Sequence, residues 1–498
     1  MNTNELAVTV NCSTYTGVAT TDSAASACAA AEQACNLAAS KAAECGSAGQ
    51  AVAQVVEEVA KTGIFGINAM WLSAIILIVV YMILITEKIN RAVLALIGAS
   101  LMIFCGLLNQ EQALHHVDFN TLWLLIGMMM LVSITSKTGV FQYVAIKSAK
   151  VVNASPIGIM LMLMLITAVF SAFLDNVTTV LLVTPVTLLI TEQLGIKAFP
   201  FLFGTILASN IGGTATLIGD PPNIIIGSRT HLTFGDFLIH MSPVAIVILI
   251  ATCAILWIFW RKGLHATKEA RAKVMKFNEK EAIHDAALLK KCAIVFGLVL
   301  IGFMAGHPLG IEPGTVALAG AALLMLLAYG KLPGEKQTES VHHTFGEVEW
   351  ITIFFFMGLF IIVGAVESSG LLKVLGEKLI AATDGSIEKM AFAVLWVSAI
   401  LSSFLDNIPF VATMIPLLET AQGTATIEQF EPVWWALSLG ACLGGNGTLV
   451  GASANLTVAA FAEKAKQPIS FVQYTKYAFP IMLITIAIAH GYLMIRYF

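Results

Sequence analysis

The chain contains one motif twice, and this internal duplication limits its possible folds more than any other feature. The motif reads SAFLDNVTTV around Asp175 and SSFLDNIPFV around Asp406, which are 406 − 175 = 231 positions apart. A Gly-rich segment recurs at nearly the same spacing, as GGTATLIG at 212–219 and GGNGTLVG at 444–451. Two halves that each place an acid and a Gly-rich interruption inside apolar sequence predict a secondary transporter whose binding site lies where two repeats meet.

The composition is that of a membrane protein. Of the 498 residues, 58% are hydrophobic and 12% are charged, whereas about a quarter of a soluble domain is charged. We therefore expect an all-α polytopic protein in the lipid bilayer. The stretches long enough to span it are 69–86, 91–108, 120–136, 242–260, 291–305, 314–330, 350–366 and 476–495. The net charge of −4 argues against a nucleic-acid partner. The lack of a Walker, Rossmann or zinc motif argues against a primary pump, a redox enzyme or a bound cofactor.

Basic residues define the predicted topology. Lysine and arginine are concentrated in segment 261–290, which the positive-inside rule places in the cytoplasm as a linker. Lys88 and Arg91 fall on the same side. This linker separates a first transmembrane repeat at 68–260 from a second, inverted repeat at 291–498, because an odd number of crossings in each half reverses the orientation.

The N-terminal segment, residues 1–67, is then extracytoplasmic or lumenal. It is rich in alanine and serine and has no apolar run typical of a signal peptide or a span before position 64. Four of the eight cysteines lie in it, Cys12, Cys28, Cys35 and Cys45, and their location predicts disulfide bonds. A tail with free thiols remains the alternative.

Each half has an apolar segment that is too long for one span and carries an acid in its middle. We expect segment 157–191 to form a re-entrant hairpin of helices 157–174 and 177–191, with Asp175 and Asn176 at its tip. A carboxylate facing lipid would cost several kcal/mol, and irregular backbone at membrane depth is tolerated only beside a cavity.

The second half repeats this pattern. Segment 389–420 predicts a second hairpin with Asp406 and Asn407 at its tip, followed by Pro409 near a helix start. Since the repeats are inverted, the two hairpins enter from opposite faces and meet near the midplane.

The next apolar segment in each half predicts a broken helix. Residues 200–211 run into two glycines and then into consecutive prolines at 221 and 222, which a continuous helix does not tolerate. Residues 432–443 run into Gly444–Gly447 in the same way. Freed carbonyls and small polar side chains at such breaks are suitable ion ligands. The candidate binding residues are Asp175, Asn176, Thr178, Thr179, Gly212, Gly213, Thr214, Thr216, Asp220, Asn223, Asp406, Asn407, Asn446, Thr448, Ser453 and Asn455.

Structural interpretations of these residues stay open. Asp175 and Asp406 can cap the helices that follow them, and the asparagines can do the same. Asp220 is equally compatible with a site acid and with a cap, since its repeat counterpart is Ala452. Threonine hydroxyls in membrane helices often bond their own backbone.

Four motifs resemble one transporter family. LDNVTT at 174–179, IGDPPN at 218–223, FLDNIPF at 404–410, and GGNGT with GASAN between 444 and 455 are similar to the P-protein group of the ArsB/NhaD branch of the ion transporter superfamily. The resemblance covers about 68–498. It implies a homodimer in which each protomer has a scaffold domain and a mobile transport domain, with an elevator type of alternating access.

The hairpin tips distinguish this chain within that superfamily. Its sodium-coupled dicarboxylate carriers have Ser-Asn-Thr tips and its arsenite permeases an Asn-rich tip, whereas both tips here read Asp-Asn. We therefore expect a Na⁺/H⁺ antiporter, with Na⁺ near Asp175, Asn176, Asp406 and Asn407 and with Na⁺ or protons as coupling ions. The alternatives are a coupled carrier of an anion or neutral oxyacid (arsenite, silicate, a carboxylate, chloride), and a channel or non-transporting receptor.

Overall fold

Long apolar helices make up most of the chain that the computed structural model describes, which is residues 68–86, 88–230, 232–423 and 425–498. Numbered in chain order, these helices are α1 (Ala69–Thr86), α2 (Arg91–Phe104), α3 (Gln110–His115), α4 (Phe119–Ser136), α5 (Val140–Val151), α6 (Pro156–Phe173), α7 (Asn176–Leu194), α8 (Phe199–Thr214), α9 (Pro221–Thr230), α10 (Phe234–His240), α11 (Ser242–Trp260), α12 (Lys268–Met275), α13 (Ala286–Ala305), α14 (Pro313–Tyr329), α15 (Gly334–Gly346), α16 (Trp350–Ser368), α17 (Leu371–Ala382), α18 (Ile387–Phe404), α19 (Asn407–Gln422), α20 (Ile427–Gly444), α21 (Ser453–Lys464) and α22 (Phe471–Tyr497). The predictions for the N-terminal segment, including those for its four cysteines, concern residues outside these ranges.

Many of these helices are suited to a membrane. Within the described ranges, nine have at least 18 residues and are apolar enough to span: α1, α4, α6, α7, α11, α13, α16, α18 and α22. An 18-residue helix is about 27 Å long, close to the roughly 30 Å of the hydrocarbon core. Helices α2 and α14 are apolar but shorter. The prediction of an all-α polytopic membrane protein is confirmed.

The duplication in sequence is also a duplication in helix order. Helices α4 to α7 begin at positions 119, 140, 156 and 176, and helices α16 to α19 begin at 350, 371, 387 and 407. Every start is displaced by the same interval, since 350 − 119 = 231 and 407 − 176 = 231. The two sets of helices are therefore equivalent elements of one repeated pattern.

The two sets interlock through glycine contacts. Helix α4 packs against α14, and α16 packs against α2. A Cβ placed on Gly127 of α4 would lie 2.6 Å from the backbone carbon of Ala317, and a Cβ on Gly358 of α16 would lie 2.6 Å from that of Ala95. Small residues let membrane helices approach backbone to backbone. Each half therefore supplies a helix that supports the other half.

The predicted hairpins are present as helix pairs. Helices α6 and α7 meet at Leu174 and Asp175, and α18 and α19 meet at Leu405 and Asp406. The observed bounds of the first pair agree with 157–174 and 177–191 at the tip. The second arm extends to Leu194, because Gly195 adopts a left-handed conformation (φ 66°) and ends the helix there.

Both broken helices are present as well. Helix α8 ends at Thr214 before α9, and α20 ends at Gly444 before α21. Pro221 and Pro222 occupy the first two positions of α9, where a missing N–H costs little. A Cβ on Gly212 would lie 2.2 Å from the carbonyl oxygen of Ala168, so the end of α8 rests directly on hairpin arm α6.

The basic linker is more structured than a loop. It contains helix α12, and α13 begins at Ala286 rather than at 291, because Asp285 caps it by accepting from the backbone N–H of Leu288 (2.8 Å). The linker lies against the α5–α6 connection, since Lys150 pairs with Glu279 at 2.5 Å and Arg271 donates to the carbonyl of Asn153 at 2.7 Å.

Candidate functional site

Asp175 forms the tip of the first hairpin and caps helix α7. Its Oδ1 accepts from the backbone N–H of Thr178 at 2.8 Å, and its Oδ2 accepts from the hydroxyl of the same residue. The side chain is buried, with 7% of the residue exposed. The capping role is therefore real, and it still leaves the carboxylate at the edge of the internal cavity described below.

Asp406 occupies the equivalent position in the second hairpin but has different partners. Its Oδ1 accepts from the backbone N–H of Ile408 at 3.2 Å, and its Oδ2 accepts from the hydroxyl of Ser453 at 2.8 Å. The guanidinium of Arg91 lies 3.7 Å from the same Oδ2. The two tip acids thus share a position in the repeat and differ in charge environment.

Asp220, at the start of α9, is the most deeply buried acid of the three, with 0% exposure. Both of its carboxylate oxygens accept from the side-chain amide of Asn407, each at 3.2 Å. Among the residues that the structure describes, no lysine, arginine or histidine lies within ion-pair distance of it. A buried carboxylate without a cationic partner is stabilised by binding a proton or a cation.

A small internal cavity lies between the two hairpins. Its volume of about 10 Å³ is close to the minimum that one water molecule needs. Its polar lining comes from both halves of the chain: Arg91, Asp175, Asn176, Asp220, Glu349, Thr352, Asn407 and Ser453. The charged residues that line it are Asp175, Asp220, Glu349 and Arg91, and Asp406 lies beside Arg91. We name these five residues the acid cluster.

Arg91, which the sequence analysis treated only as a charge marking the cytoplasmic side, also has partners inside the protein. Arg91 is the first residue of α2, and its side chain reaches into the protein. It donates to Thr352 at 2.6 Å, to Glu349 at 3.3 Å and, over a short distance, to the hydroxyl of Ser453. An arginine at the start of an apolar span is equally typical of a membrane interface, so no local signal in the sequence indicated this role.

A large cavity reaches the acid cluster on the side of Asp406, and none of comparable size among the described residues reaches it on the side of Asp175. A cavity of about 310 Å³ is lined by Arg91, Asp406 and Ser453, together with Tyr81 and Phe404. The corresponding cavity beside the first half, lined by residues such as Asn120 and Glu312, has about 160 Å³, and Asp175 is not part of its wall. In this structure Asp406 faces an approach cavity and Asp175 does not.

A chain of asparagine amides joins the two broken helices. Asn210 of α8 accepts from the amide of Asn176 at 3.2 Å and donates to the side-chain oxygens of Asn446 and Asn455, each at 3.0 Å. Sequence reasoning missed Asn210, a single amide inside the apolar segment 200–211. We name Asn176, Asn210, Asn446 and Asn455 the amide network.

Asn223 and Asn455 hold the loops at the two helix breaks. Asn223 donates to the carbonyls of Gly213, Thr214 and Thr216 at 3.3, 3.4 and 2.9 Å. Asn455 donates to those of Gly445 and Thr448 at 2.7 and 2.9 Å. These five carbonyls at the breaks, where free ion ligands were expected, therefore accept hydrogen bonds within the protein.

The predicted threonines also bond mainly to backbone. The hydroxyl of Thr214 donates to the carbonyl of Asn210 at 2.7 Å, that of Thr216 donates to Ala172, and that of Thr448 donates to Ser403 at 2.5 Å. The hydroxyl of Thr179 is buried and has no hydrogen-bond partner among the described residues. Within those residues, no three acids, histidines or cysteines are grouped as ligands of one metal ion.

Comparison with known proteins identifies the class of this architecture. Residues 81–440 match the family model described as CitMHS, citrate transporter. An uncharacterized transporter of Mycobacterium bovis is 41% identical over 428 residues, which cover 85% of this chain and 97% of that protein. The P protein of Sus scrofa is 33% identical over 508 residues, which cover 86% of this chain and 59% of that protein.

A solved structure has the same fold. The YdaH transporter of Alcanivorax borkumensis matches with a TM-score of 0.51 over 77% of this chain and 86% of that chain, at 13% sequence identity. The resemblance to the P-protein group is confirmed, as is the prediction of a membrane transporter rather than an enzyme.

Proposed function

The chain belongs to the CitMHS family of membrane transporters, and we propose that it is a secondary active transporter that exchanges a cation such as Na⁺ for protons. The observation that carries this proposal is the fully buried carboxylate of Asp220, which faces a cavity the size of one water molecule together with Asp175. The two carboxylates bring negative charge to a space that suits a dehydrated ion or a proton.

Coupling follows from the chemistry of these carboxylates. A carboxylate can hold a proton or a bound cation, but not both at once. Binding of the cation therefore requires release of the proton. Asp175 lies at the hairpin tip and Asp220 at the helix break of the first half, and Asn407 of the second half contacts Asp220 at 3.2 Å. A movement of the second hairpin relative to the first half would therefore change the contacts of Asp220. A cycle of alternating access needs such a change at the binding site.

We assign the movement to the hairpins and broken helices, in an elevator cycle within a homodimer. The interlocked helices α2, α4, α14 and α16 support this division. Gly127 packs α4 onto α14, Gly358 packs α16 onto α2, and α4 also contacts α16, so we treat the four helices as one frame. The homodimer follows from the resemblance to the superfamily.

A carboxylate carrier is the second candidate. The larger cavity of about 310 Å³ has Arg91 in its wall, and an arginine fork is well suited to binding carboxylates. The description of the family as citrate transporters favours the same substrate class. Arg91 is already engaged by Glu349 and Asp406 in this structure, so cation exchange is the better supported of the two.

Proteoliposomes containing a pH dye separate the candidates. Each vesicle preparation receives external Na⁺, Li⁺, K⁺, choline, chloride, citrate or arsenite in turn. A cation/proton exchanger moves protons out of the vesicle when Na⁺ or Li⁺ is added, and choline serves as the control cation. Citrate accumulation without cation-driven proton movement would instead establish the carboxylate carrier and overturn the exchange proposal.

A further inference from the structure

Asp175 and Asp406 occupy equivalent positions in the two repeats but have different neighbouring residues. Asp406 faces a guanidinium at 3.7 Å, whereas Asp175 is bonded by the hydroxyl and backbone N–H of Thr178. In the repeat, Ser453 corresponds to Pro221, since 453 − 232 = 221, so the hydroxyl that joins Asp406 to Arg91 has no counterpart beside Asp175. Helix α14, the counterpart of α2, begins at Pro313 and carries no such cation.

Arg91 contacts both parts that move relative to each other in the proposed elevator cycle. Its side chain extends from α2 and donates hydrogen bonds to Glu349, which directly precedes α16, and to Thr352 within α16. Both α2 and α16 are frame helices. The same guanidinium contacts Ser453 at the start of α21 and lies beside Asp406 of the second hairpin. Its side chain is 22% exposed, so its ion pair with Asp406 is partly shielded from solvent.

We propose that Arg91 is a tethered counter-cation that neutralises Asp406 while no transported cation is bound there. This inference rests on the proposed cation/proton exchange and makes a claim beyond it. An ion that arrives through the 310 Å³ cavity meets Asp406 already paired and must displace Arg91 to bind. Arg91 is thus a positioning residue that lowers the affinity for the cation at Asp406, the hairpin acid that lies within ion-pair distance of it.

Glu349 competes with Asp406 for the same guanidinium. It lies 3.3 Å from Nη2 of Arg91, while Asp406 lies 3.7 Å from Nη1. Without the charge of Glu349, Asp406 is the carboxylate that remains paired with Arg91. Without Arg91, Asp406 has no cationic partner among the described residues and is free to bind the transported cation. The two substitutions therefore shift cation affinity in opposite directions, which a loss of structural support would not do.

The test measures half-saturation for Na⁺ and maximal velocity in proteoliposomes. Arg91→Gln is expected to lower half-saturation by roughly threefold or more, the size expected from losing a partly shielded ion pair. Glu349→Gln is expected to raise it by a similar factor, and Arg91→Lys is expected to lie near wild type. Arg271→Gln removes the same charge from the basic linker, where Arg271 contacts the carbonyl of Asn153, and serves as the matched control.

The outcomes distinguish the two proposals. If Na⁺ drives proton exchange but Arg91→Gln and Glu349→Gln shift half-saturation in the same direction, or leave it unchanged, the counter-cation role is overturned and the exchange stands. If wild-type protein shows no cation-driven proton movement, the exchange itself is overturned and the role of Arg91 fails with it. Thermal unfolding of each purified variant identifies misfolding. If Arg91→Gln does not fold, Glu349→Gln still tests the proposal, because only a rise in half-saturation agrees with it.

Discussion

The side-chain amide of Asn407, at the tip of the second hairpin, donates to both carboxylate oxygens of Asp220 in the broken helix of the first half, each at 3.2 Å. This contact joins residues 187 positions apart in sequence. It places the tip of one repeat against the helix break of the other. Asp220, which the sequence left undecided between a cap and a site acid, faces the cavity and belongs to the acid cluster.

Neutral substitution of the hairpin acids is expected to separate folding from transport. Asp175→Asn and Asp406→Asn each keep a side-chain oxygen that can cap the following helix, because asparagine caps as well as aspartate. Each variant should therefore unfold at nearly the wild-type temperature and lose cation-coupled proton movement. The measurements are thermal unfolding in detergent and initial rates in proteoliposomes. Wild-type rates in both variants would remove the coupling role of the tips.

Asn210 is expected to stabilise the contact between the two halves. Asn210→Leu leaves the side-chain oxygens of Asn446 and Asn455 without their donor, and each unsatisfied buried group costs about 1–3 kcal/mol. The free energy of unfolding should fall accordingly, read from denaturant or thermal unfolding.

Thr252→Val is the matched control for Asn210→Leu. The hydroxyl of Thr252 is buried in α11 and has no hydrogen-bond partner among the described residues, so its removal should cost nothing. Equal losses of stability in the two variants would contradict the importance of the amide network.

The sequence predicted the local features of the site because they leave local patterns. Three such patterns occur here: an acid inside an apolar segment, a pair of prolines and a run of glycines. Each determines where a helix ends or turns within a few residues, and together they predicted the two hairpins and the two helix breaks. Arg91 and Asn210 were missed as site residues. Their partners are 362 residues away at Ser453 and 236 residues away at Asn446, and only tertiary packing decides such contacts.

The Gly-rich helix breaks were predicted to contribute ion ligands, with Gly212 and Gly213 as candidate residues. The structure gives Gly444, at the second break, a clear packing role. A Cβ on Gly444 would lie 2.6 Å from the carbonyl oxygen of Ala399 and 2.7 Å from its Cα, both backbone atoms that cannot move aside easily. Gly444→Ala should therefore lower the free energy of unfolding by about 1–3 kcal/mol. Gly297→Ala, where a Cβ has nothing within 4 Å, should leave it unchanged or raise it. Tolerance of both substitutions would mean that α18 and α20 separate easily.

The orientation in the membrane is a prediction from the basic linker, and cysteine labelling tests it. On a background without reactive native thiols, Ser228→Cys should react with an impermeant maleimide added outside intact cells. Lys273→Cys, on exposed α12 of the linker, should react only after the membrane is opened. Labelling of both positions from one side of intact cells would contradict the inverted arrangement of the two halves.

Competition between protons and cations should appear in the pH dependence of affinity. If the acid cluster exchanges a proton for a cation, lowering the pH increases the protonated fraction of the same carboxylates, and half-saturation for the cation must rise. Raising the pH removes that competition, and half-saturation falls to a limiting value while maximal velocity changes less. A proton-coupled carrier of an anion behaves in the opposite sense, because protonation then assists substrate binding. Proteoliposome assays from about pH 6 to 9 cover the range to which buried carboxylates can be shifted, and a half-saturation that is constant over this range would rule out proton coupling in either form.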